Sequence, residues 1–269
     1  MHDKRAGAYT IILVTARSEP LTQHARSWAG TLEGEVYEQG RPDYPPALTA
    51  LLSEQLALGP GRRVLDVAAG TGKLTRRLLS TGADIIAAEP IEGMRAVLGR
   101  MVPAAQAVGA TAEDLPLAGE SLDGVTVAQA FHWFDVPRAA AEFRRVLRPG
   151  RRLAVIHNRR DDRVAWVARI TEILGRYERL APQPASTRRW LEELQGADEF
   201  EGWQEFDLPH AQRFASLADF DARFLSISSV ILLDAAPKRE LLAELHEAAA
   251  GVRPLVMPLR TAVRVATRS

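Results

Sequence analysis

A chain of 269 residues is long enough to bury one large α/β core, or a core with a small second lobe. Lys+Arg and Asp+Glu each number 34, so no global field draws the chain to nucleic acid or an anionic membrane. Cysteine is absent, which excludes a disulfide framework, a thiolate metal site and a cysteine nucleophile.

In chain order, Lys4 and Arg5 precede AYTIILVTA, a faint echo of a signal peptide diluted by Asp3 and two threonines. Residues 1–24 are therefore read as an N-terminal extension, a disordered tail or sequence upstream of the true start, and the folded domain as 25–269. Tyr37, Arg41 and Tyr44 fall in a segment punctuated by Gly40, Pro42, Pro45 and Pro46, whose second half is extended. Leu48, Leu51, Leu52 and Leu56 predict a helix ending at Gly59-Pro60-Gly61.

Next comes RVLDVAAGTGKLT, from Arg63 to Thr75. Val64, Leu65 and Val67 read as a buried strand. Gly70-Thr71-Gly72 makes a turn, and Leu74, Leu78 and Leu79 then fall at helical spacing. Ligands of open α/β sheets bind at such strand ends. A P-loop is excluded, because Val67 holds the first-glycine position and Leu74 the last. The dinucleotide fingerprint lacks its third glycine, which is Thr75, and Asp66 would repel a pyrophosphate. What remains is D-x-A-x-G-x-G, comprising Asp66, Ala68, Gly70 and Gly72. A carboxylate near the turn suits a ligand that carries positive charge.

Ala83 to Ala88 reads as the second strand, with Glu89 and Pro90 at its end. Glu89 follows Gly72 by seventeen residues, the length that a helix, a loop and a returning strand consume. A carboxylate there can accept both ribose hydroxyls of an adenosine. Met94, on the next helix, suits the core and an adenine contact equally. Ala104 to Val108 is a short third strand, followed by the turn AEDLPL. The fourth strand, starting at Val125, ends in QAFHWFD, from Gln129 to Asp135. Phe131, Trp133 and Phe134 surround His132 at the pocket mouth, where aromatic faces stabilise a cation. Asp135 and Pro137 start a helix as cap and first-turn residues. His132 reads equally as a substrate-side group or as a histidine packed beneath the aromatics.

That helix ends at Arg148-Pro149-Gly150, and Leu153 to His157 is the fifth strand, with His157 and Asn158 at its tip. Beyond Asp161, apolar stripes predict helices over Val164–Leu174 and around Trp190, a strand from Trp203 to Phe214, helices over Ser216–Leu233 and Lys238–Ala250, and a closing strand from Leu255 to Ala266. The cations are almost all arginine and are scattered, a pattern read as the mark of a GC-rich genome.

D-x-A-x-G-x-G resembles motif I of the class I S-adenosylmethionine-dependent methyltransferases, and YEQGRPDYP, AQAFHWFD and LRPGRRLAVI resemble stretches carried by its small-molecule subgroup. The likeness runs from about Ala25 to Arg264. It implies a Rossmann-like, doubly wound sheet of seven strands, one antiparallel, with a C-terminal helical cap. The cofactor core is then 46–160, and the acceptor side and closing strands 161–269. It further implies that Tyr37 and Arg41 approach the methionine carboxylate, that Asp114 accepts from the adenine amino group, and that the Leu115 amide faces a ring nitrogen. Gln129 and Phe131 join the cofactor-binding set.

Methyl transfer from a sulfonium releases a neutral thioether, so the protein's task is positioning and exclusion of water. No acid, triad or metal is required. A base is needed only where the acceptor must lose a proton, and His132 is the first candidate, ahead of Tyr37 and His157. The expected activity is methylation of a small molecule in the cytoplasm, with no nucleic-acid or membrane partner. Two alternatives share the sheet: an NAD-dependent oxidoreductase and a non-catalytic S-adenosylmethionine binder.

Overall fold

Short apolar runs that alternate with amphipathic stretches have few ways to bury both patterns, and a parallel sheet covered by helices is the simplest. The computed structural model describes residues 31–179 and 189–269. The extension read over residues 1–24, and the start of the folded stretch at Ala25, lie outside the described residues.

Helices α1 (Thr31–Gly40) and α2 (Pro46–Gln55) come first, joined by an extended Arg41–Pro45 link. Pro46 begins α2, where a missing N–H costs nothing. Strand β1 (Arg63–Val67) turns into α3 (Lys73–Leu79), and β2 (Asp84–Ala88) into α4 (Glu92–Met101). Then follow β3 (Gln106–Val108), β4 (Leu122–Ala128), a 3-10 turn over Phe131–Trp133, α5 (Val136–Val146) and β5 (Leu147–Arg160). The remainder is α6 (Ala165–Glu178), α7 (Arg189–Gln195), β6 (Phe200–Arg213), α8 (Leu217–Leu225), α9 (Ser228–Ile231), α10 (Ala235–Ala248) and β7 (Val256–Arg268).

The seven strands lie in the order β3-β2-β1-β4-β5-β7-β6, and β7 runs antiparallel to both neighbours. Strand order reverses between β1 and β4, so a crevice opens at their carboxyl ends. Alternation along the strands feeds two cores: Leu65, Ile86 and Val155 pack with Phe131 and Phe143 on one face, and Val64, Ile85 and Ile156 pack with Leu48, Leu52 and Leu78 on the other. The cap has its own core of Val167, Ile170, Phe220, Phe224 and Leu241. β7 joins two of these cores, with Met257 and Leu259 in the cap and Val263 and Val265 against the sheet.

Several boundaries differ from the predicted ones: β4 begins at Leu122 and β6 at Phe200, ahead of Val125 and Trp203. β5 is longer at both ends, because Leu147 already pairs with Leu122 and the far end stays in register with β7 as far as Arg160. The helix predicted over Ser216–Leu233 is broken at the fully buried Ser226, whose hydroxyl donates to the Arg223 carbonyl and so competes with the helical bond pattern. Among the described residues, no helix is long and apolar enough to cross a membrane.

Candidate active site

The crevice between β1 and β4 is framed by two strained residues. Ala68 follows β1 with φ 51°, and Gln129 follows β4 with φ 60°, values that side-chain-bearing residues rarely adopt. Both line the cleft, as do Tyr37, Arg41, Asp66, Gly70, Asn158 and Arg223. The cleft holds about 560 Å³ of empty space, mouth included.

The two glycines of the turn do different work. Gly70 (φ 58°) faces the cleft, and a β-carbon there would meet only the Tyr37 ring, at 3.9 Å. Gly72 packs against α4. It is not part of the cleft lining; a β-carbon would lie 2.6 Å from both Leu98 and Val102, so its φ of 89° serves close packing of the turn on α4.

Two buried carboxylates sit beneath the turn. Asp66 accepts from the hydroxyls of Thr75 (2.7 Å) and Thr126 (3.1 Å), yet burial outweighs these bonds and raises its carboxyl to about 6. Glu89 accepts the amides of Gly70 (2.8 Å) and Ile91 (2.9 Å), and burial raises it to about 7. Glu89 thus stands at the tip of β2 beside the glycine turn, as its spacing predicts. Pro90 follows it, half-buried, with its carbonyl bonded to Arg95.

Helix α1 lies across this turn. The sequence reading missed Glu38, whose carboxylate accepts from Thr71 Oγ1, from Lys73 Nζ at 3.4 Å and from Arg76 Nη2 at 2.7 Å. One turn of α1 thereby holds the first turn of α3. Its pattern of acid on one helix and hydroxyl and cations on another has no local spacing, so no sequence signal reports it. Arg41 stacks over the Tyr37 ring at 5.1 Å, and its Nε is buried with no acceptor among the described residues.

QAFHWFD is only partly at the cleft. Gln129 lines it, and its side-chain amide donates to the Asn158 carbonyl at 3.3 Å. Phe131 does not: it is fully buried, with ring centroids 5.3 Å from Phe134, 6.1 Å from Phe143 and 5.2 Å from Trp190. The 3-10 turn points this ring into the sheet core, so the expected aromatic contact from Phe131 gives way to packing. Asp135 caps α5 as expected, accepting the Arg138 amide. His132 lies 4.7 Å from the Trp133 ring and 6.2 Å from the His157 ring. Desolvation, with His157 and Arg41 beside it, lowers its imidazolium to about 3. An imidazole lowered in this way is largely uncharged at neutral pH, which weighs against proton abstraction and leaves it a hydrogen-bonding group. His157 stacks on Trp190 at 5.1 Å, away from the cleft, and burial lowers it to about 4.

The AEDLPL turn is stapled to α5. The Leu115 amide donates to Glu142 at 2.9 Å, and Arg145 donates to the carbonyls of Leu115 and Leu117. The Leu115 N–H expected to face a ring nitrogen is therefore already engaged. Asp114 is half-buried on this turn, and Met94 is buried on the inner face of α4 beside Val97 and Leu98. Neither borders the cleft.

Comparison with known proteins agrees with this architecture. A methyltransferase-domain family matches residues 65–155. An uncharacterized methyltransferase of Mycobacterium tuberculosis is 50% identical over 141 residues, which is 52% of this chain and 56% of that one. The chain thus spans little more than half the length of that relative. An uncharacterized methyltransferase of Schizosaccharomyces pombe is 34% identical over 212 residues, covering 78% of this chain and 83% of its own. Among solved structures, a protein provisionally called a type II methyltransferase from Anaeromyxobacter dehalogenans superposes with a TM-score of 0.59 at 26% identity, over 85% of this chain and 96% of that one.

Proposed function

The chain belongs to the class I S-adenosylmethionine-dependent methyltransferases, and from that premise we propose that it moves a methyl group from S-adenosylmethionine to a small-molecule acceptor held beneath the helical cap. The residues fit such a donor. One side of the cleft carries Arg41, with a buried Nε that has no acceptor among the described residues; the other carries the buried carboxylate Asp66, and Glu89 sits behind the Gly70 amide that faces the cleft. A zwitterion with a carboxylate at one end and cationic centres beside a ribose complements that division.

When bound, the donor supplies an electrophilic methyl on sulfur. Glu89 retains lone pairs for ribose hydroxyls while it holds the Gly70 amide, and Arg41 with Tyr37 receives the carboxylate. Gln129 and Asn158 line the acceptor-facing side and orient by hydrogen bonds. Helix α1, held down by Glu38, covers the turn and excludes water. With the His132 imidazole held mostly neutral, catalysis in this reading rests on positioning. Asp114 and Met94 belong to the adenine side of this reading, which acts where the donor is made, in the cytoplasm.

The observation that carries the proposal is the Glu89–Gly70 bond at 2.8 Å, which sets a carboxylate beside a glycine turn at the sheet's switch point. Calorimetry with S-adenosylhomocysteine and, separately, NAD tests it. Binding of the first alone is expected; heat with NAD alone would reverse the assignment. Incubation with methyl-labelled donor and a panel of small acceptors then separates transfer from mere binding.

A further inference from the structure

We propose that Arg223 is a recognition point for an oxyanion, carboxylate or phosphate, carried by the methyl acceptor. This deepens the methyltransferase reading and rests on it. Arg223 belongs to α8, in the cap, and is 7% exposed. Its guanidinium lies over the Phe224 ring at 5.8 Å, while Nε and Nη1 are buried with no acceptor among the described residues. Buried guanidinium groups are ordinarily paired with an anion. Here the charged neighbours are Arg41 and Arg160, and burial together with those like charges pushes Arg223 well below its usual range. Five donors in a planar fork suit a carboxylate or phosphate better than any other ligand group.

The fold enforces the pairing of the two arginines. Gly40 packs so tightly on α8 that a β-carbon would lie 2.3 Å from the Ala222 carbonyl and 2.7 Å from Ser226. The residues flanking that contact are Arg41 on one chain segment and Arg223 on the other. Arg223 and Asn158 line both the donor cleft and a second cleft bounded by Arg159, Arg160, Asp161, Asp207 and Arg260. In that second cleft Arg163 is paired with Asp161 at 2.6 Å, Arg159 and Arg260 share Asp207 at 2.8 and 2.6 Å, and Arg160 Nε donates to Thr171 at 2.7 Å. Positive charge without a partner among the described residues is thus concentrated at the junction of the two clefts. Arg41 lies beside Tyr37, the ring nearest Gly70, and serves the donor's carboxylate; Arg223 projects from the cap, on the acceptor side.

The test uses full-length wild type, Arg223→Leu and Arg223→Lys, loaded with S-adenosylhomocysteine. Each is titrated calorimetrically with octanoate against octanamide, and with phenyl phosphate against phenol. Wild type is expected to bind at least one anion tenfold or more tightly than its neutral partner. Arg223→Leu should abolish that preference and Arg223→Lys retain part of it. S-adenosylhomocysteine affinity should change less than threefold in Arg223→Leu, and the ligand-free melting temperature should rise, because an unpaired buried cation is gone. Equal binding of each pair by wild type, or a preference that survives in Arg223→Leu, overturns the proposal. Weaker S-adenosylhomocysteine binding in Arg223→Leu with 5′-methylthioadenosine unaffected assigns Arg223 to the donor's carboxylate instead. A lowered melting temperature makes the residue structural. Failure of wild type to bind S-adenosylhomocysteine sinks the donor reading alone, and the anion titrations on ligand-free protein still decide this one.

Discussion

The Glu89 carboxylate accepts the Gly70 amide at 2.8 Å, tying the tip of β2 to the turn that follows β1. Burial dominates its environment and raises the carboxyl to about 7, against the two amide bonds and Arg95. The sign of the linkage follows. A raised carboxyl disfavours the ionised folded state, so this group lowers stability as pH climbs from the unfolded value of about 4.5 to about 7. Ribose hydroxyls donate to the ionised form, so donor affinity moves the other way. Affinity for S-adenosylhomocysteine is expected to rise up to about tenfold between pH 6 and 8 in wild type, from the change in ionised fraction. Calorimetry across that range should show a much flatter dependence for Glu89→Gln, together with a loss of about 1.5–3 kcal/mol for hydrogen bonds to a charged group. A slope unchanged in Glu89→Gln would remove Glu89 from the ribose site.

Gly70 and Gly72 should separate stability from binding. Gly72→Ala combines a φ of 89° with contacts of 2.6 Å to Leu98 and Val102, so it is expected to cost about 3 kcal/mol in denaturant melts, from left-handed strain plus overpacking. Gly70→Ala has the strain alone, about 1 kcal/mol, and its larger effect should fall on S-adenosylhomocysteine affinity. Equal melts for the two variants would contradict the division of labour.

Glu38 predicts a kinetic effect. It receives hydrogen bonds from Thr71, Lys73 and Arg76, and α1 has no other described acid so placed over the turn. Glu38→Ala should speed S-adenosylhomocysteine dissociation by about tenfold, the equivalent of one charge-assisted bond. Stopped-flow displacement measures the rate, and limited proteolysis between α1 and α2 should quicken in parallel. An unchanged dissociation rate would mean that α1 does not cover the bound nucleoside.

What the sequence made legible, and what it hid, follow the range of the interactions involved. Strand, turn and helix around Gly70, the placement of Glu89 and the Asp135 cap are fixed by neighbours within some twenty residues, and all of these were readable. The burial of the Phe131 ring is not legible in sequence, because strand ends and 3-10 turns look alike there, and only Phe143 and Trp190, brought from α5 and α7, decide which way the ring points. Glu38 and Arg223 were invisible for the same reason: their partners, or the lack of them, come from segments distant in sequence. The scattered arginines looked like genome composition, yet the fold gathers Arg41, Arg160 and Arg223 within electrostatic reach of one another.

The histidines offer a test by titration. Desolvation and nearby positive charge lower His132 to about 3, and burial lowers His157 to about 4. Imidazole resonances of both should therefore stay neutral in NMR titrations down to pH 5, and labelled-donor assays should show no acidic limb that vanishes in His132→Asn. A titration of His132 between pH 6 and 7 would restore it as a general base.

Asp123 anchors the opposite end of the sheet. It is 3% exposed, and it gathers Arg62 at 3.2 Å, Arg148 at 2.7 Å and Arg151 at 3.4 Å around the Arg63 amide, which it accepts at 3.0 Å. Burial would raise its carboxyl, but the Arg63 amide and the Arg148 and Arg151 guanidinium groups outweigh it and hold it below its usual value. A depressed carboxyl contributes stability above its unfolded value, near 3.8, and loses it as pH falls through the lower folded value. Asp123→Asn is expected to lower stability by about 1–2 kcal/mol at pH 7, since the part-exposed arginines stay hydrated once their shared anion is gone, and the gap to wild type should close under strongly acidic conditions. Donor affinity should be untouched, because the residue lies at the amino-terminal end of β4, the far end of the strand from the cleft. Urea melts from pH 3 to 7 with calorimetry at pH 7 check both halves. A variant as stable as wild type at pH 7 would show that the arginine cluster gains no net stabilisation from this carboxylate.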